Sequence, residues 1–95
     1  MIEEFLKSGF CTIVDVRTPA EFMSGNVIDS INIPLQELEQ RFEELTSLNQ
    51  PLILCCASGG RSGMGMQYLR SKGIDCHNAG GWMEVNYLIS QLEKS

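Results

Sequence analysis

Apolar positions in this chain switch repeatedly between strand-like and helix-like spacing, and each switch marks an element boundary. Cys11-Thr-Ile-Val-Asp-Val16 is a β-branched run that predicts a buried strand. Ser30-Ile-Asn-Ile33 alternates polar and apolar, as a short strand does, and Pro34 ends it. Leu52 to Cys55 is an apolar run of the length of a buried strand. Ile74-Asp-Cys-His-Asn78 is a weaker strand, and Ala79-Gly-Gly-Trp82 reads as a loop.

Between these runs the period becomes helical. Ile2, Phe5 and Leu6 predict a helix over 2–8 that ends near Gly9. Thr18-Pro-Ala-Glu21 reads as a helix start, with Thr18 as cap, Pro19 in the first turn and Glu21 three residues after the cap. That helix carries Phe22 and stops before Gly25. Leu35, Leu38, Phe42, Leu45 and Leu48 predict one surface helix with a solvated acidic face, broken by Asn49-Gln50-Pro51. A helix over about 61–72 follows, with Met64, Tyr68 and Leu69 toward the sheet; Lys72-Gly73 closes it. Gly63 and Gly65 each cost that helix about 1 kcal/mol relative to alanine, which close backbone packing would offset. Val85, Leu88, Ile89 and Leu92 define the last helix.

Strands alternating with helices imply an α/β fold: a small, mainly parallel sheet of four to five strands with helices on both faces, forming one domain over residues 1–95. Sites in such sheets lie at the carboxyl ends of the strands. Asp15, Arg17 and Cys56 stand at such ends.

Chemistry concentrates at one of them. Cys56-Ala-Ser-Gly-Gly-Arg-Ser62 joins the apolar strand to the helix that follows. The first N–H groups of a helix lack intrahelical partners and attract anions. A cysteine there ionises more easily than a free one, which titrates at about 8.5. Arg61 adds a full positive charge to the same turn. Cysteine is also a common core residue, and inside the apolar run Cys55 reads as structural. Cys56, at the mouth of the turn and followed by Ala57, Ser58, Gly59, Gly60, Arg61 and Ser62, reads as a nucleophile.

Composition narrows the classes. The 95 residues carry a net charge of −5, which argues against a general nucleic-acid binder. No stretch approaches the roughly 18 apolar residues of a membrane span, and the acidic start lacks the pattern of a signal peptide. The expected location is the cytoplasm, where the four cysteines stay reduced. Cys55 and Cys56 point to opposite faces of an extended chain and are poor disulfide partners. A zinc site from Cys55, Cys56, Cys76 and His77 lacks the paired Cys-x-x-Cys knuckle. No metal or cofactor is expected, and His77 reads as solvent-facing or hydrogen-bonded.

Taken together, these motifs resemble the rhodanese family of sulfurtransferases over nearly the whole chain. Ile13-Val-Asp-Val-Arg17, Glu21-Phe22 and Gly25, then Ser30-Ile-Asn-Ile-Pro34, are similar to the family's first signature. The stretch from Cys56 to Ser62 resembles its active-site loop, and Gly80-Gly-Trp82 the turn before its last helix. Gly25-Asn26 and Asp29-Ser30 stand where the family commonly has Gly-His and Gly-Ala. The resemblance implies a thiosulfate sulfurtransferase-like enzyme. A Cys56 thiolate would take the sulfane sulfur of a donor such as thiosulfate as a persulfide and pass it to cyanide or a thiol. Residues 57 to 62 would bind the substrate, and N–H groups of residues 57 to 61 would surround the terminal sulfur. Arg61 would either attract the anion or sit in a structural ion pair. Ser58 and Ser62 would cap the helix, or Ser58 would touch the sulfur. Asp15 and Arg17 would brace the sheet edge, with Glu21 as a partner for Arg17. The implied partners are a small-molecule sulfur donor and acceptor, or a protein persulfide, on a monomer or weak homodimer.

Two other readings compete. Phosphatases of the same fold, and with them arsenate reductases, carry a Cys-x5-Arg loop, which here is matched only by counting from Cys55; Cys56 to Arg61 is Cys-x4-Arg, the loop size associated with sulfur. The second is a non-enzymatic sulfur-carrier or interaction module; interaction modules of this family lack a usable cysteine, and the intact Cys56 and its loop argue against that here.

Overall fold

The computed structural model describes residues 2–93. Its elements run in the order α1 (Ile2–Ser8), β1 (Thr12–Asp15), α2 (Pro19–Met23), β2 (Ile31–Asn32), a 3-10 turn (Leu35–Glu37), α3 (Phe42–Thr46), β3 (Leu52–Cys56), α4 (Gly60–Ser71), β4 (Cys76–Gly81) and α5 (Trp82–Glu93). The four strands form one parallel sheet in the order β2-β1-β3-β4. Alternating side chains of β3 feed two cores. Leu52, Leu54 and Cys56 pack with Val14, Leu45 and Leu69 on one face, while Cys55 packs with Val27 and Val85 on the other. Helices therefore cover both faces, as the strand–helix alternation requires.

Three elements depart from the sequence reading. The single helix expected from Leu35 to Leu48 is a 3-10 turn, a stretch of turns and the short α3. Leu35 donates its N–H to the carbonyl of Val16 at 3.0 Å, which ties the start to the sheet edge. Arg41, at φ −105° and ψ 25°, breaks the helical path, its guanidinium spread over Glu37, Glu44 and the carbonyl of Asn32. Leu38 and Leu45 still reach the core, so the apolar period is kept while the helix is not. On α4, Met64 faces solvent; the buried positions are Ser62, Gly65 and Leu69. A Cβ on Gly65 would come within 3.3 Å of Leu38 and 3.6 Å of Leu54, so the missing side chain lets α4 lie close to the sheet. Third, β4 runs on through Gly81 where a loop was expected, because the parallel ladder continues, with an irregularity opposite Leu54 to Cys56.

One buried ion pair joins β1, α2 and α5. Asp15 is fully buried and Arg17 is 4 % exposed. Arg17 donates from Nη2 to Asp15 Oδ2 at 2.7 Å, from Nε to both carboxylate oxygens, and from its backbone N–H to Oδ1. Its remaining donors reach the carbonyls of Glu21 and Gly25 at 3.3 and 2.6 Å, and its guanidinium lies 4.7 Å over the Trp82 ring. The partner of Arg17 is thus Asp15 rather than the Glu21 carboxylate, whose side chain points elsewhere. A flat guanidinium with five donors can satisfy all these groups at once.

Removing one member of a buried pair leaves the other uncompensated. Arg17→Met, which keeps an apolar stem beside Trp82, is expected to cost about 3–5 kcal/mol in urea unfolding at pH 7. A loss below about 1 kcal/mol would show that the pair does not brace this edge.

Candidate active site

In a parallel sheet the ends of β1 and β3 lie at one edge, with Asp15 paired in register to Cys55. Beyond Cys56 the chain turns at once into α4. Gly59 occupies the cap position at φ 106°, and a Cβ there would meet the Cα of Gly80 at 3.2 Å. Only glycine combines that backbone angle with so close an approach to β4. The turn brings three donors to one sulfur. Gly59 N–H lies 3.0 Å from Cys56 Sγ, Ser62 N–H 3.5 Å and the Ser62 hydroxyl 3.3 Å.

These contacts decide the ionisation of Cys56. Burial pushes the thiol up, but the hydrogen bonds from the Ser62 side chain and from the backbone of Ser62, Gly59 and Ser58 outweigh it and bring its pKa down to about 7. The neighbouring Cys55 shows the opposite balance. Its sulfur faces the other core, and burial, with the Asp15 carboxylate adding to it, pushes the thiol up to about 12. One residue of register thus separates an ionisable thiol from an inert one.

The predicted site residues converge unevenly. Cys56, Gly59 and Ser62 meet at the sulfur. Ala57, Ser58 and Gly60 are exposed on the outer rim of the turn, with Ser58 acting on the sulfur through its backbone alone. Ser62 is no helix cap; it is buried inside α4 with its hydroxyl against the thiol, and the cap position belongs to Gly59, without a side-chain bond. Arg61 stands in an ion pair, one of its two open roles: Nη1 reaches Glu21 Oε1 at 2.7 Å and Nη2 reaches Oε2 at 2.9 Å. Glu21 also closes the capping box of α2 by accepting from Thr18 N–H at 3.0 Å. The Arg61 guanidinium, helped by Thr18, holds its carboxyl down at about 2. Asp15 and Arg17 stand behind the turn as its brace. His77 stacks on Phe5 at 5.2 Å and contacts Arg70 and Asp75; with Cys55 and Cys56 in different cores, the four side chains weighed as a zinc site do not converge.

Asn78 escaped the sequence reading. Its Oδ1 accepts from the Ser62 hydroxyl at 2.7 Å and from Gly80 N–H at 3.0 Å, while its Nδ2 donates to the carbonyl of Gly59 at 3.0 Å. The signal available was an amide side chain in the last strand, two residues before a glycine pair. Its contact with Ser62 has a chemical consequence. A hydroxyl has one proton to give. While Cys56 is a thiol, Ser62 can donate to Asn78 and accept from the S–H. Once Cys56 ionises, the same proton can turn to the sulfur, and Asn78 Oδ1 keeps Gly80 N–H.

A parallel sheet whose edge holds an ionisable cysteine in a turn of N–H donors marks out one class of α/β domain. The chain belongs to the rhodanese-like domain family, which it matches over residues 2–87. It is 37% identical over 75 residues to the uncharacterized protein YqhL of Bacillus subtilis, covering 77% of this chain and 59% of that one. It is 31% identical over 74 residues to the thiosulfate sulfurtransferase PspE of Escherichia coli, covering 76% and 71%. The human single-domain sulfurtransferase TSTD1 superimposes with a TM-score of 0.68 at 29% identity, over 99% of this chain and 91% of that one. The chain thus spans less than two thirds of YqhL.

The Ser62 contact can be tested directly. Iodoacetamide alkylation of Cys56, followed by peptide mapping, is expected to rise with pH through a midpoint near about 7. Ser62→Ala removes a hydrogen bond to the charged form and should move that midpoint up by about one unit. An unmoved midpoint would mean that the backbone donors alone set the ionisation.

Proposed function

We propose that Cys56 is the nucleophile of a rhodanese-type sulfurtransferase and that the chain acts as one catalytic domain. The observation that carries this reading is the Cys56 sulfur, held by Gly59 and Ser62 and lowered to a pKa of about 7. The thiolate attacks the sulfane sulfur of a donor. With thiosulfate, the new Sγ–S bond forms as the S–S bond of the donor breaks, and sulfite leaves with the electron pair. The terminal sulfur of the resulting persulfide is anionic, and the N–H groups of the turn stabilise it. A thiophilic acceptor, cyanide or a thiol, attacks that sulfur and restores the Cys56 thiolate. Two half-reactions through a covalent intermediate give ping-pong kinetics.

The phosphatase and arsenate reductase readings require Cys55 as nucleophile, and a thiol raised to about 12 in the opposite core is unsuited to that role. No helix among the described residues is long and apolar enough to cross a membrane. All four cysteines are free thiols, which suits a reducing cytoplasm.

Intact-protein mass spectrometry tests the cycle. Incubation with thiosulfate is expected to add one sulfur atom, mapped to the Cys56 peptide and removed by cyanide. Cys56→Ser should abolish the adduct, and Cys55→Ser should keep it. Equal loss from both variants would contradict the assignment.

A further inference from the structure

The charges around the turn are paired in a way that bears on the donor. Residues 57 to 62 contain one full positive charge, Arg61. Its guanidinium is bound end-on by both oxygens of Glu21, from a different element and 40 residues away in sequence. The pair is about one third exposed, at 37 % and 36 %, so it stands at the surface of the site rather than in the core. Other arginines near this edge are engaged too: Arg17 with Asp15, and Arg41 with Glu37 and Glu44. Next to the turn, where a Gly81 Cβ would meet the carbonyl of Ala57 at 2.9 Å, the Glu84 carboxylate lies 3.3 Å from that same Cβ position. What greets a donor is a set of neutral N–H dipoles, a cancelled cation and a carboxylate.

That balance suits some sulfane-sulfur donors and not others. Thiosulfate brings two negative charges to a thiolate that already carries one. An organic persulfide, R–S–SH, brings its transferable sulfur with at most one. We infer that Glu21 is a specificity-determining positioning residue: by clamping Arg61 in a two-pronged ion pair it withholds the turn's cation from the donor, so that the site favours an organic persulfide over dianionic thiosulfate. This rests on the proposed chemistry of Cys56. The step is balanced: the Cys56 thiolate bonds to the outer sulfur of R–S–SH, the S–S bond of the donor breaks, and R–S⁻ leaves with the electron pair. The proton stays on the transferred sulfur, and no oxidant or reductant is needed.

The test removes the carboxylate and keeps the fold. Glutamine can replace glutamate in a capping box, so Glu21→Gln preserves the start of α2; Glu21→Ala serves as a second variant. Two readouts are taken. The first is protection of Cys56 against iodoacetamide by inorganic sulfate, a dianion that reports the field of the site without sulfur transfer. The second is KM and kcat for thiosulfate against those for cysteine persulfide and for a persulfide carried on serum albumin.

In the unaltered protein, transfer from either persulfide should be at least about tenfold more efficient than from thiosulfate, and the faster of the two identifies the source. Glu21→Gln should lower the thiosulfate KM and strengthen sulfate protection by about five- to tenfold, with kcat and the persulfide KM little changed. The gain should shrink at high ionic strength and vanish in the Glu21→Gln, Arg61→Gln double variant, because it belongs to the freed guanidinium. Unchanged sulfate protection and thiosulfate KM in both folded single variants would overturn the inference. So would a gain that survives loss of Arg61. A chain that accepts sulfur from no donor would refute the proposed function, while sulfate protection would still report on Glu21.

Discussion

The site hangs on the buried contact between Asp15 and Arg17. A carboxylate and a guanidinium with almost no exposure tolerate few alternative arrangements, because each must keep its partner and its remaining hydrogen bonds. Arg17 uses its donors on β1, on the carbonyls of Glu21 and Gly25, and its flat face on Trp82. The same charge therefore locates α2 and the first turn of α5. Those elements carry the two carboxylates that flank the reactive turn, Glu21 and Glu84. A pair that never touches the reacting sulfur in this way sets the electrostatic surroundings in which it works.

The turn itself solves a narrower problem: raising the ionisation of one thiol among four without exposing it. Cys56 is almost as closed to solvent as Cys55, but less protein is packed around it. The two also differ in direction. One side chain points at Gly59 and Ser62 on a helix N-terminus and the other into an apolar pack with Val27 and Val85. Hydrogen-bond donors favour the charged form where burial alone would suppress it. Asn78 extends the arrangement by holding both the Ser62 hydroxyl and the Gly59 carbonyl, so β4 fixes the shape of a turn that β3 and α4 build.

Much of this was legible in the sequence, and the failures share a cause. The strand cores, the Thr18 capping box, the loop from Cys56 and the parallel α/β class follow from local pattern: β-branched runs, a Ser/Thr-x-x-Glu spacing and small residues at a strand end. The helix expected from Leu35 to Leu48 kept its apolar period but lost its regularity, because Leu35 is tied to Val16 and Arg41 is drawn to Glu37, Glu44 and Asn32. The apolar period puts Met64 on the sheet face because a large apolar residue outweighs a glycine in any periodicity count, while packing favours Gly65 for close approach. Glu21 carried a visible capping role that hid its second one, since no local pattern reveals an ion pair to a residue 40 positions away. Asn78 was concealed in the same way: its three contacts lie across the sheet edge or after an irregularity in the ladder.

The most direct measurement is a competition among the four cysteines for a limiting amount of iodoacetamide at neutral pH, read residue by residue after digestion. Burial pushes the thiols of Cys11 and Cys76 up and that of Cys55 to about 12, whereas Cys56 lies at about 7. The account predicts that label appears first and overwhelmingly on Cys56, and that it is lost there on acidification below its midpoint. Label shared evenly among the cysteines, or appearing first on Cys55, would contradict the claim that the turn after β3 singles out one sulfur for chemistry.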